Sequence, residues 1–297
     1  MSTNPQDRTI ESLTLDVDGR AIVALRRPPR SSTASASAPR LLCLHGWLDN
    51  AASYVPMMPH LPDVDLIAID LPGHGESAHL DGNYTLHEMS YRVRRALQCL
   101  GWERCHLVGH SLGGCVAPAI AVAAPDAIAS LVLIEASGPV TEEADALPAR
   151  LVRALAERLD GRRFQSRTFP DAEAAVGARL KSARMDPASA RLIIDRQLVR
   201  VDGGWRWRFD PQLRAASAQY QTEAQVRSVL AAVACPTLTV IAEDGFLARR
   251  EETEARLSLL ADRTSSTLPG HHHVHMDTPE PVARAIRHFL AALPQTS

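Results

Sequence analysis

The sequence predicts an α/β fold: a mostly parallel sheet covered by helices on both faces, with one long helical segment inserted between two of its strands. Three observations carry that prediction. Short apolar runs recur between longer stretches of helical spacing, the mark of strands buried on both faces. One run, Cys105-His106-Leu107-Val108, leads through Gly109-His110-Ser111-Leu112-Gly113 into a helix-compatible stretch from Leu112 to Ala124. After Pro139 the strand rhythm stops, and it resumes only at Thr237.

The elements follow in order. Ser12–Val17 and Ala21–Leu25 read as two strands joined by a turn at Asp18-Gly19. Arg30–Pro39 is rich in Ser, Ala and Pro and reads as a flexible surface connection. Leu41–Leu44 and Leu66–Ile69 are buried-strand runs, followed by an amphipathic helix over Leu86–Leu100. Leu107-Val108 and Leu131–Ile134 continue the sheet. Residues 140–230 hold Ala- and Arg-rich helical stretches at Leu147–Leu159, Ala172–Ala183 and Pro187–Val199, with no buried-strand run. Within them Asp202-Gly203-Gly204 turns into a short extended segment, Trp205–Phe209, whose Trp205 and Trp207 face one way and read as packing residues. The strand pattern resumes at Thr237–Ile241, and Pro279–Leu293 is the last helix.

The chemistry concentrates at Ser111. A Ser at the tip of a sharp strand-to-helix turn sits in strained backbone, so small residues are needed two positions to either side. The turn lifts the hydroxyl clear of the sheet, and the helix start aims backbone N–H groups at any oxyanion formed there. Leu41-Leu42-Cys43-Leu44-His45-Gly46-Trp47 reads as a buried strand running into a loop. That loop and the residue after the nucleophile would supply the two oxyanion donors, the backbone N–H groups of Trp47 and Leu112. Asp70-Leu71-Pro72-Gly73-His74-Gly75-Glu76-Ser77 builds a tight turn beside this strand-to-helix elbow at Ser111. His45, His74 and Glu76 read as loop scaffolding.

Composition limits the partners. The 297 residues suit one large α/β domain or a domain with an insertion, and 45% apolar content can fill a substantial core. A formal net charge of −2 gives no electrostatic case for nucleic acid or an anionic membrane. No apolar run approaches the roughly 20 residues that span a bilayer. The polar Met1–Arg20 stretch lacks an apolar signal core, and five cysteines, an odd number, fit a reducing compartment; a cytoplasmic location is expected. Cys43 and Cys105 fall in strands, as small buried hydrophobes.

His45-Gly46, Asp70–Ser77, Gly109–Gly114 and the His-rich C-terminal run together resemble the α/β-hydrolase superfamily over nearly the whole chain. Within it, His45-Gly46-Trp47-Leu48-Asp49-Asn50, Glu135-Ala136-Ser137-Gly138-Pro139 and His272-His273-Val274-His275-Met276 resemble the serine hydrolase-like proteins. The resemblance implies an α/β-hydrolase fold with an α-helical cap inserted after the strand ending at Glu135. The core would comprise 1–139 and 231–297, and the cap 140–230, roofing the pocket.

The resemblance also assigns the base and offers two acids. In the superfamily the catalytic His precedes an acidic-x-Pro element by five residues; Asp277-Thr278-Pro279 sets that register and selects His272, with His271 as the alternative. His273 and His275 read as packing or local hydrogen-bonding residues. A metal site built from these imidazoles lacks a matching carboxylate or Cys cluster, so none is expected. The usual acid follows the strand Thr237–Ile241, but there the aligned position falls on Gly245, one residue beyond Asp244. Some haloalkane dehalogenases resemble a different arrangement, with a Glu at the end of the strand after the nucleophile helix. Glu135, 24 residues after Ser111, matches it and is preferred, with Asp244 as the alternative.

A Ser nucleophile implies acyl transfer through a covalent ester, where dehalogenases and epoxide hydrolases of this fold use Asp. The expected activity is hydrolysis of carboxylic esters or related small acyl substrates by Ser111, His272 and Glu135, with no cofactor. Lactone opening, C–C hydrolysis and perhydrolysis are same-fold alternatives, as is a ligand-binding protein with little turnover. The oligomeric state is left open.

Overall fold

The computed structural model describes residues 10–30, 38–160 and 166–294. Most of the Arg30–Pro39 connection, and nearly half of Met1–Arg20, lie outside the described residues. Eight strands form one twisted sheet: β1 (Glu11–Val17), β2 (Arg20–Arg27), β3 (Arg40–Leu44), β4 (Asp65–Ile69), β5 (Cys105–His110), β6 (Ile128–Ile134), β10 (Thr237–Ala242) and β11 (Arg263–Leu268). Their spatial order is β1-β2-β4-β3-β5-β6-β10-β11. The β1–β2 hairpin and its pairing to β4 are antiparallel. From β4 to β11 every pairing is parallel.

The apolar runs behave as strands because both sides of each are covered. Along β3, Leu42 and Leu44 face one core and Leu41 and Cys43 the other. The first core packs α1 (Leu86–Cys99) and α2 (Leu112–Ala123) on the sheet. The second packs the last helix, Pro279–Ala292, and a 3-10 stretch, Ala51–His60, on the opposite face. Cys43 and Cys105 are buried.

The inserted segment holds the expected extended run at Trp205, as β9, but carries more strand than the sequence suggests. α3 (Leu147–Leu159), α4 (Ala172–Ser182) and α5 (Pro187–Gln197) form as helices, but α5 ends two residues before Val199. Leu198 instead begins β8 (Leu198–Val201), which pairs with β9 (Gly204–Trp207), and β9 pairs with β7 (Thr168–Phe169). This small antiparallel sheet lets Trp207 pack on Phe169 at 4.7 Å and on Phe209 at 5.4 Å. Phe169, Val176, Ile193 and Leu198 anchor a third hydrophobic cluster that belongs to the insert. α6 (Glu223–Ala231) closes the segment but sends Val226 and Leu230 into the first core.

β11 gave no apolar signal, since Arg-Thr-Ser-Ser-Thr-Leu lies at the sheet edge, where polar residues blunt further pairing.

Candidate active site

The end of β5 turns directly into α2, and Ser111 occupies the turn with φ 49° and ψ −110°. A non-glycine residue there is strained and persists only where its surroundings hold it. Here the Ser111 N–H donates to the Ile134 carbonyl at 3.1 Å, and its own carbonyl accepts from Cys115. Glycines make the turn possible: a Cβ on Gly109 would strike the backbone of Gly113, and one on Gly113 the Leu44 carbonyl.

β6, the next strand in the sheet, ends at Ile134, and Glu135 follows with φ 49°. Its side chain is buried at 1% exposure. One carboxylate oxygen accepts the Ala242 N–H at 2.8 Å; the other accepts the Phe246 N–H at 2.8 Å and the Leu247 N–H at 3.4 Å. The same oxygen lies 3.1 Å from His272 Nδ1. A buried carboxylate is tolerable only with its lone pairs filled, and these donors fill them.

His272 completes the line. Its Nε2 lies 3.0 Å from Ser111 Oγ. With Nδ1 against a carboxylate, that nitrogen carries the proton and Nε2 presents its lone pair to the hydroxyl, the arrangement a general base needs. Within the histidine run, His272 is the one in hydrogen-bond reach of Ser111 among the described residues; His271 makes no such bond. Asp244 is exposed, and its backbone N–H donates to the Gly270 carbonyl at 3.0 Å. The geometry therefore brings Glu135, and not Asp244, to His272. Gly245 explains the absence of an acid where the superfamily places one: a Cβ there would fall onto the Glu135 carboxylate.

The Gly113 N–H donates to the His45 carbonyl at 3.1 Å, pinning the elbow to the loop that carries Trp47. The amide N–H groups of Trp47, in that loop, and of Leu112, next to Gly113, have no acceptor among the described residues. Leu48, at φ 59°, turns the loop just beyond Trp47. The Trp47 ring is half exposed and its indole N–H donates to Leu213 of the insert at 3.1 Å. Phe246 is also half exposed, edge-on to His272 at 5.8 Å, with the Arg250 guanidinium 4.3 Å above its ring.

The supporting loops are locked by polar contacts. His45 Nε2 accepts the Leu71 N–H at 2.9 Å, which puts its proton on Nδ1, 2.7 Å from the Gly46 carbonyl. Burial lowers the pKa of His45, and drives that of His74 down to about 3. Glu76 pairs with Arg196 of α5 at 3.2 Å.

Sequence reasoning left out a buried polar cluster behind the triad. It comprises Asp49, His110, His273 and Arg179, with His275 adjoining. Asp49 lies inside the run His45–Asn50, and His110 precedes Ser111; the motifs that named the site contained both. Among the described residues, no group of three or more His, Cys, Asp or Glu is arranged to hold a metal ion. No described helix is long and apolar enough to cross a membrane.

Comparison with known proteins identifies the family. The alpha/beta hydrolase fold family matches residues 39–279. A serine hydrolase-like protein of Danio rerio is 29% identical over 84% of this chain and 81% of its own length. The 2-(acetamidomethylene)succinate hydrolase of Mesorhizobium japonicum is 30% identical over 86% of this chain and 89% of its own. The crystal structure of a hypothetical protein from Pseudomonas aeruginosa PAO1 superposes with a TM-score of 0.89 at 34% identity, covering 95% of this chain and 99% of that one.

Proposed function

The chain belongs to the α/β-hydrolase family, in which it resembles the serine hydrolase-like proteins, and from that premise we propose that it hydrolyses carboxylic esters or related acyl substrates through Ser111, His272 and Glu135. One observation carries the reading: a single imidazole lies 3.0 Å from a strained serine hydroxyl and 3.1 Å from a buried carboxylate.

In the proposed reaction Ser111 Oγ attacks the substrate carbonyl carbon as His272 Nε2 takes its proton. The Trp47 and Leu112 N–H groups receive the oxyanion, a role supported by their lack of other acceptors. Collapse of the tetrahedral intermediate breaks the ester C–O bond, and the His272 proton leaves with the alcohol. Water then gives its proton to His272 and attacks the acyl-enzyme, releasing the acid and restoring Ser111. Glu135 holds Nδ1–H throughout and stabilises the transient imidazolium. Residues 140–230 act as a cap over the core formed by 1–139 and 231–297, with Phe246 and Trp47 as apolar walls at the mouth.

Labelling by a fluorophosphonate, together with turnover of p-nitrophenyl esters of increasing chain length, tests the reading. Wild type should label and turn over, and Ser111→Ala should lose the label and about 10⁴- to 10⁶-fold of the turnover. A well-folded wild type that neither labels nor cleaves any acyl substrate would overturn it.

A further inference from the structure

Behind the triad lies a buried charge that the proposed reaction does not use. Asp49 is 1% exposed, forms an ion pair with Arg179 of α4, and stands 3.4 Å from His273 Nε2 and 3.8 Å from His110 Nδ1. His110, fully buried, places Nε2 2.9 Å from the carbonyl oxygen of His272. That nitrogen must be the donor, which fixes the tautomer and leaves Nδ1 bare. Burial and the neighbouring histidines hold the His110 pKa well below its ordinary value, so the ring stays neutral. Two consecutive residues are thus gripped from one side: the His272 carbonyl by His110, and the His273 ring by Asp49.

The same loop is also fastened to the insert. Met276 is buried in the same hydrophobic cluster as Ile193 and Phe169 of the insert. Asp277 accepts the Asp186 N–H at 3.1 Å. Arg179 closes the set, because its charge is what makes a buried Asp49 carboxylate tolerable. A second core-to-insert pair provides an internal control. Asp70, fully buried, accepts from Arg196 of α5 at 2.7 Å. Its remaining hydrogen bonds go to the amides of Ala51 and Glu76, far in sequence from the loop 271–277.

We propose that Asp49 and Arg179 are positioning residues for His272: their buried ion pair joins the insert to the loop carrying the base and sets the angle at which the imidazole meets Ser111. The Asp70–Arg196 pair also fastens the insert, but among the described residues its side chains form no hydrogen bond or ion pair with that loop. The inference rests on the reading of His272 as the base, and it makes the insert part of the machinery that aligns the imidazole as well as a roof.

Arg179→Met, Arg179→Lys and Arg196→Met separate the two pairs. The readouts are the fluorophosphonate labelling rate, kcat and KM on a p-nitrophenyl ester, and the low-field proton resonance of His272 Nδ1–H, identified by its loss in His272→Gln. In Arg179→Met, labelling and kcat should fall about tenfold with KM nearly unchanged, because sub-ångström misplacement of a base costs rate and not binding. The resonance should broaden there, and Arg179→Lys should regain most of both. Arg196→Met should lower the melting temperature comparably and leave the resonance and the labelling rate near wild type. Equal slowing in the two Met variants, or an unchanged resonance in Arg179→Met, would overturn the proposal. The resonance needs no substrate. A wild type that shows it but neither labels nor turns over would sink the hydrolase reading, while the variants would still decide the positioning role.

Discussion

The ends of β6 and β10 lie side by side in the sheet, and each is followed by a carboxylate residue that the sequence offers as a partner for His272, Glu135 after β6 and Asp244 after β10. They are used in opposite ways. The end of β6 supplies a side chain: Glu135, buried and held in place by three amides and an imidazole. The end of β10 supplies the amides, those of Ala242, Phe246 and Leu247, while its own Asp244 faces solvent. A turn cannot wrap its N–H groups around a neighbour's carboxylate and also project an acid into the same space. Gly245 is the residue that resolves the conflict, because it leaves the volume to Glu135.

The largest effect should come from Glu135→Gln. The amide keeps the shape but sets an NH₂ or a poor acceptor against three backbone donors, and it no longer stabilises the imidazolium. Turnover and labelling should fall about 10³- to 10⁴-fold, the scale of losing a triad acid. Stability should drop by about 2 kcal/mol for the unsatisfied buried groups. A variant within tenfold of wild type in kcat/KM would show that the acid lies elsewhere.

A swap of the two strand ends is the sharper test. Gly245→Asp alone sets a second carboxylate against the first, and like charges in one buried site should cost about 3 kcal/mol or force one to protonate. In the Glu135→Ala background the same substitution has both room and partner. The double variant should regain about 10- to 100-fold of the activity lost in Glu135→Ala, the size expected of an imperfectly placed acid. No recovery in a folded double variant would mean that more than the local volume fixes the acid to β6.

How much of this was legible follows from what each feature depends on. β3, β4, β5, β6 and β10 read as short apolar runs because the sheet buries both their faces. The elbow is legible because its glycines answer a local backbone demand, and His272 because its distance from Asp277-Thr278-Pro279 is a matter of counting. Sequence raised Glu135 as one of two acids, and the missing acid at Gly245 pointed the same way. Features made by distant pairing left no such trace. Asp49 and Arg179 are 130 residues apart, and neither carries a periodicity that announces the other. The first two residues of β8 read as the end of a helix because four residues, Leu-Val-Arg-Val, are too few to reveal a period against the helical pattern before them.

The histidine run repeats the contrast between a used and an unused group, and acid should expose it. His272 has both nitrogens paired. His275 is fully buried, 4.2 Å from the His110 ring, with neither nitrogen partnered, and burial drives its pKa down to about 3. The unfolded chain takes up a proton near its ordinary value, while the folded chain refuses it until much lower pH. The stability is therefore complete above about pH 6.5 and is lost as pH falls toward 3, by about 1.4 kcal/mol per pH unit for this group. Urea unfolding at pH 7, 6 and 5 should show that slope flattened by this amount in His275→Phe. An unchanged slope would mean that the histidine finds a proton or a partner within the fold.

The smallest expected effect is the one that closes the comparison. Asp244→Asn removes the only charge that the loop 242–245 could offer besides Glu243, and it keeps the backbone N–H bond to Gly270. An exposed carboxylate is screened by water and salt, so its field at His272 is small beside that of a buried Glu135 in direct contact. Turnover should stay within about twofold of wild type and stability within about 0.5 kcal/mol, as for other surface substitutions away from packed features. If Asp244→Asn instead cost tenfold while Glu135→Gln cost little, the carboxylate would reach His272 from β10 during turnover. The amides now wrapped around Glu135 would then have to open first, and the buried pair would describe a resting arrangement of the site.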